Sequence, residues 1–109
     1  MSECYDRTGK KISMAEWTKL NADKKYVVIK KTYLKNGLMV STVWLGINHN
    51  FNLTGLPIIF ETKIFSNTEK FTDWDTMRSS TEKEAIKNHK EMILKAKKIT
   101  NSRIVLEEL

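Results

Sequence analysis

The sequence predicts an α+β domain: an antiparallel sheet of about four strands, with a short N-terminal helix and a longer C-terminal amphipathic helix packed on one face. Three observations predict it. An Asn36-Gly37 pair sits between runs of β-branched and aromatic residues, which is the strongest short-range hairpin signal because these two residues best tolerate positive φ. Ala85, His89, Met92, Ala96 and Ile99 recur at alternating steps of four and three, the spacing of one helix face. A length of 109 residues is enough for one continuous core and too short for two, so residues 1–109 are read as a single domain.

In chain order, Ser13 and Glu16 have capping-box spacing and open a helix from Met14 to about Ala22, with Trp17 and Leu20 three apart on one side. The hairpin follows, from Tyr26 to Leu45. With Asn36 and Gly37 as its two turn residues, Lys35 faces Leu38 and the register is set. One face then carries Tyr26, Val28, Leu34, Met39, Val43, Leu45 and Ile47, the expected core side. The opposite face carries Val27, Ile29, Lys31, Tyr33, Val40, Thr42 and Trp44, apolar and aromatic but interrupted by a lysine, and is expected to be covered or to form a contact surface.

Residues 46–56 are rich in Asn and Gly and read as a loop long enough to carry function. Pro57 to Phe65 reads as a third strand, with proline at the position where its missing N–H matters least. Phe71 to Arg78 is a more polar fourth strand, suited to a sheet edge. Thr81 and Glu84 then cap a helix from Glu82 to about Lys98, which Asn101 ends, leaving residues 103–106 as either a short strand or a packed tail.

Hydrophobic residues at 40% and charged residues at 29% describe a globular chain. No run approaches the roughly 20 apolar residues of a membrane-spanning helix, and the N-terminus lacks a signal peptide's apolar centre, so a cytosolic protein without membrane contact is expected. Cys4 is the sole cysteine, which excludes an internal disulfide. Nineteen Lys and Arg against thirteen Asp and Glu give a net charge of +6. This favours polyanionic partners and excludes an acidic mimic of DNA.

Catalytic signals are sparse. Two histidines and one cysteine form no recognised metal-ligand spacing, and a metal-dependent hydrolase site would have to be assembled from His49, Glu61 and His89. Four scattered glycines build no phosphate cradle, and no cofactor is implied. The stronger candidate is the mixed hairpin face. Lys31, Tyr33, Thr42 and Trp44, with Glu61 and Lys63 of the next strand and His49, Asn50 and Phe51 of the loop, form the expected binding set. Cations among aromatics on a sheet suit single-stranded nucleic acid or a nucleotide, whereas packing in the fold or in a homodimer is the competing use of the same residues.

Val40 to Gly46 (VSTVWLG), followed by His49 and Phe51, then Pro57 to Thr62 (PIIFET) and Phe65, resembles small uncharacterised proteins of bacteriophages and prophages. Tyr5-Asp6-Arg7 with Gly9, Glu16-Trp17, and Ser80-Thr81 leading into Glu84-Ala85 and His89 fit the same pattern, which extends to about Met92. This chain departs from it at Asn48, where the family often has Asp, at Leu56, where it has a second proline, and at Lys63, where it has Met. The resemblance carries no assigned activity. It implies a non-enzymatic accessory protein that binds a host protein, such as a defence nuclease, or sequesters a signalling nucleotide.

Overall fold

The computed structural model describes residues 3–35, 37–50, 55–66 and 75–108, the last ten of these by backbone alone. Its centre is a four-stranded antiparallel meander, β3-β4-β5-β6, formed by Val28–Tyr33, Leu38–Trp44, Phe60–Ser66 and Thr76–Ser79. Before it come a two-stranded hairpin, β1 (Cys4–Tyr5) with β2 (Lys11–Ile12), and two helices, α1 (Met14–Asn21) and α2 (Lys24–Val27). After it, α3 (Glu82–Glu108) lies across all four strands. The α+β class, the short N-terminal helix and the long C-terminal helix agree with the sequence reading.

Both capping boxes form. Ser13 Oγ accepts from the Glu16 N–H at 3.1 Å, and Thr81 Oγ1 accepts from the Glu84 N–H at 3.1 Å, so each helix start satisfies otherwise orphaned donors. The backbone of α3 continues past Asn101 to Glu108. Residues 99–108 contain neither glycine nor proline, and a single asparagine costs a helix interior only a few tenths of a kcal/mol, about 0.7 at most.

The register of the central hairpin corrects the sequence reading. Tyr33 pairs with Met39 and Thr32 with Val40, and the Leu34 N–H donates to the Leu38 carbonyl, so residues 35, 36 and 37 lie between the flanking pair rather than two turn residues. Gly37 takes φ +88°, the left-handed residue of a three-residue hairpin loop. Asn36 itself lies outside the described residues. One extra loop residue slides the partner strand by one, and a slip of one exchanges its faces. A bulge between Val28 and Lys30 shifts the pairing again near the strand start.

Leu38, Val40, Thr42 and Trp44 therefore point toward α3 and are buried, whereas Met39 and Val43, read as core, point away. Two core clusters result. Leu38, Val40 and Ile64 pack with Met92 and Ala96 of α3, and Trp44, Ile59 and Phe60 pack with Ala85. Tyr5, Ile12, Trp17, Leu20 and Tyr26 close over the second cluster, so the N-terminal hairpin and α1 serve as its lid.

The N-terminal turn is pinned to the start of α3. Arg7 Nε donates to Glu82 Oε1 at 2.7 Å, its Nη1 donates to the Tyr26 carbonyl at 3.1 Å, and its guanidinium stacks 5.4 Å from the centre of the Tyr26 ring. Arg7 holds the Glu82 carboxyl below its usual range. Replacing Arg7 with alanine removes both bonds and the stack, and a loss of about 1–2 kcal/mol is expected in urea unfolding at neutral pH. Glu82→Gln, which keeps the shape of a partly exposed partner, costs less than about 1 kcal/mol. Because the Glu82 pKa is lowered in the fold, that share is present above its ordinary pKa of 4.5 and is lost as acid protonates it.

Candidate functional site

Alternation along the strands leaves the meander with two unlike faces. The inner one is covered by α3. On the outer one, cross-strand pairing sets three rows: Tyr33–Met39–Phe65, then Lys31–Ser41–Lys63–Thr76, then Val28–Val43–Glu61–Arg78. Among the described residues, Met39, Val43 and Phe65 join neither core cluster. Tyr33 is 66% exposed. Ser41 is only 6% exposed, set among longer neighbours, with Lys31 and Lys63 directly across from it on the two flanking strands.

Charge on this face is ordered. Glu61 Oε2 accepts from Arg78 Nε at 3.0 Å, and Lys63 Nζ lies 3.6 Å from Glu61 Oε1. Among the described residues of this face, Lys31, Lys63 and Arg78 thus stand against one carboxylate, that of Glu61, which makes its described part cationic. The row next to the cations is the aromatic one, about 6.6 Å away along the strands, two residues at about 3.3 Å each.

The predicted binding residues are divided by the corrected register. Lys31, Tyr33, Glu61 and Lys63 share the outer face. Thr42 (0% exposed) and Trp44 (1% exposed) belong to the inner face and are unavailable to a partner. The Trp44 indole N–H donates to the Tyr5 carbonyl at 2.9 Å, and its ring meets Tyr26 edge-on at 4.9 Å. Phe65, Met39, Val43 and Arg78 belong to the outer set and were missed. The alternation of residues 60–66 already puts Phe65 on one side with Glu61 and Lys63, whereas Met39 and Val43 can be assigned to this face only once the hairpin register is known.

His49 and Asn50 lie elsewhere, in a segment fastened to the N-terminus and to the approach to β5. Cys4 bridges Ile47, the Asn48 N–H donates to the Glu3 carbonyl at 3.1 Å, and Asn48 Oδ1 accepts from the N–H groups of Asn50 and Ile58 at 2.8 and 2.9 Å. The His49 ring donates from Nδ1 to the Ile47 carbonyl at 2.7 Å. Phe51 lies outside the described residues. Gly46, in this segment, has φ +75°, and a Cβ placed there would lie 2.4 Å from Trp44 Cζ2 and 2.6 Å from Trp17 Cδ1.

His89 is wholly buried between α3 and the sheet. Its Nδ1 lies 2.7 Å from Thr42 Oγ1, its Nε2 lies 2.8 Å from Thr32 Oγ1, and Thr42 Oγ1 lies 2.7 Å from Thr62 Oγ1. A neutral imidazole satisfies this chain in either tautomer, donating from one nitrogen and accepting at the other. Burial, and then the charge of Lys30, push the His89 pKa down. The hydrolase site of His49, Glu61 and His89 is overturned by this placement, since Glu61 is on the outer face and His89 on the inner one. Among the described residues, no group of three His, Cys, Asp or Glu side chains is placed to hold a metal ion.

No protein-family model, no curated protein and no solved structure matches the chain. The VSTVWLG and PIIFET blocks and the residues grouped with them are mostly framework: Tyr5, Trp17, Trp44, Phe60, Ala85 and His89 all pack or bond inside the fold. Ser41, Val43, Glu61 and Phe65 are their outward-facing members. Among the described residues, no helix is long and apolar enough to cross a membrane.

Proposed function

We propose that this chain acts by binding rather than by turnover, as a small phage-type accessory protein of the host cytosol that occupies a host macromolecule through the outer face of its meander. The observation supporting this reading is the composition of that face. Sheets solvated on one side alternate apolar and polar residues cleanly. Here the side away from α3 instead carries Tyr33, Phe65, Met39 and Val43 among four charged groups, which is the make-up of a contact surface.

Parallel affinity captures with the tagged wild type, a Lys31→Glu/Tyr33→Ser variant and a Lys97→Glu control test it. Lys31, Tyr33 and Lys97 are exposed, so all three proteins are expected to melt alike. A host macromolecule retained by the wild type and the control but lost from the face variant is the expected result. Equal retention by all three would place the contact elsewhere. A dimer that the face variant converts to monomer would assign the surface to self-association and overturn the reading.

A further inference from the structure

We infer that the outer face takes single-stranded nucleic acid, with phosphates on the Lys31–Ser41–Lys63 row and bases on the Tyr33–Met39–Phe65 row. This rests on the reading of that face as the contact surface and names what it contacts.

Three features of the face select this occupant. The cationic and aromatic rows are adjacent and parallel, one cross-strand row apart, so a strand lying along them can place its phosphates over one and its bases over the other. Lys31 and Lys63 flank the buried Ser41 from opposite sides, so two lysines stand on one cross-strand row of the face. Tyr33 and Phe65 stand on strands separated by β4, about 10 Å apart at two strand spacings, and Met39 fills the apolar ground between them. Bases stack on aromatic platforms without regard to sequence, and lysines track the backbone.

Competing occupants fit less well. A duplex keeps its base faces buried in the stack, and a sheet face presents no helix or ribbon to a groove. A free nucleotide is usually held in a concave site that covers most of its surface, whereas the face of a meander is shallow and suits a chain that spreads over it. The Glu61 carboxylate does not oppose the ligand, because Arg78 Nε is set against it at 3.0 Å. The chain's net charge of +6 draws the polyanion in.

Fluorescence anisotropy with a labelled homopyrimidine oligonucleotide of about 12 nucleotides, as DNA and as RNA, tests the inference. Binding is expected at about 50 mM salt, weakening toward 200 mM with a log–log slope near −1.4, about −0.7 for each of two lysines. Tyr33→Ala should weaken binding by about 5- to 100-fold, and Lys31→Gln should flatten the slope by about 0.7. Lys97→Gln, which removes the same charge from an exposed position on α3, should leave the affinity nearly unchanged.

No anisotropy change at low salt would overturn the inference. So would equal competition by unlabelled duplex, or equal losses from Lys31→Gln and Lys97→Gln, which would mean unspecific attraction. If oligonucleotides fail to bind while the face variant still loses a captured protein, the contact surface stands and only its ligand is wrong.

Discussion

Gly46→Ala is expected to destabilise the protein by about 2–5 kcal/mol, a large part of the 5–15 kcal/mol typical of a small domain. A left-handed backbone costs a residue with a Cβ about 1–2 kcal/mol, and forcing atoms into a filled core adds about 1–3. The overlap is not with the free end of a flexible chain. The Trp17 indole N–H donates to the Leu45 carbonyl at 3.0 Å and the Trp44 indole N–H to the Tyr5 carbonyl at 2.9 Å, so neither ring can withdraw from Gly46 without breaking a half-buried bond. The Gly46 carbonyl also accepts from the Tyr5 N–H at 2.7 Å, which ties the N-terminal hairpin to the same point. Gly37→Ala is the comparison. Gly37 has φ +88° but nothing within 4 Å of the added carbon, so it should cost only the backbone share, about 1–2 kcal/mol. In thermal melts read by circular dichroism, Gly46→Ala should unfold roughly 10–25 °C below the wild type. If the two alanine variants melted within a few degrees of each other, the Trp17 and Trp44 rings would not be pinned against Gly46 as described above.

Local chemistry announced most of the elements, and non-local pairing decided their faces. Ser13 with Glu16 and Thr81 with Glu84 are short-range signals whose physics is complete within four residues, and both helices begin where those signals place them. The hairpin was equally visible at Asn36-Gly37. What the dipeptide does not state is whether two or three residues separate the strands, because Gly37 serves either a two-residue turn or the left-handed end of a three-residue loop. Burial decides. The observed register gathers Leu38, Val40 and Trp44 on one side against Phe60, Ile64 and α3, while the alternative would have buried Met39 and Val43 and turned Trp44 outward.

The same reasoning explains what was legible of the candidate site. Lys31 and Tyr33 were grouped correctly with each other and with Glu61 and Lys63, but wrongly with Thr42 and Trp44, since the slip changes which residues of β4 sit beside them. The N-terminal hairpin was missed for a different reason. Each of its strands has only two residues, too few for an alternation pattern, and its turn is held by one side chain: Asp6 Oδ1 accepts from the N–H groups of Thr8 and Lys10 at 2.9 and 3.0 Å.

His89→Ala is expected to cost about 3–4 kcal/mol at neutral pH and to remove a pH dependence that the wild type shows as pH falls below about 6.5. The first effect follows from emptying a wholly buried ring site and leaving the Thr32 and Thr42 hydroxyls without their imidazole partner. The second follows from the direction of the shift. Burial, followed by Lys30, holds the His89 pKa below its ordinary value of 6.5, so the folded chain resists a proton that the unfolded chain accepts. Above about pH 6.5 neither state carries that proton and stability is insensitive to it. As pH falls below 6.5 the unfolded state is favoured, by up to about 1.4 kcal/mol per pH unit for one proton, until the folded-state pKa is reached. The lowered carboxyls act in a separate window. Asp6, held by the Thr8 and Lys10 donors, Asp75, paired with Lys95, and Glu82, paired with Arg7, lose their contributions only below their ordinary values of 3.8, 3.8 and 4.5. Urea unfolding across pH 7.5 to 5 therefore isolates the histidine: the wild type should weaken steadily below 6.5, and His89→Ala should stay flat. A wild type equally stable at both ends of that range would mean that the buried Thr32–His89–Thr42–Thr62 chain accommodates an imidazolium, with both threonine oxygens accepting from the ring.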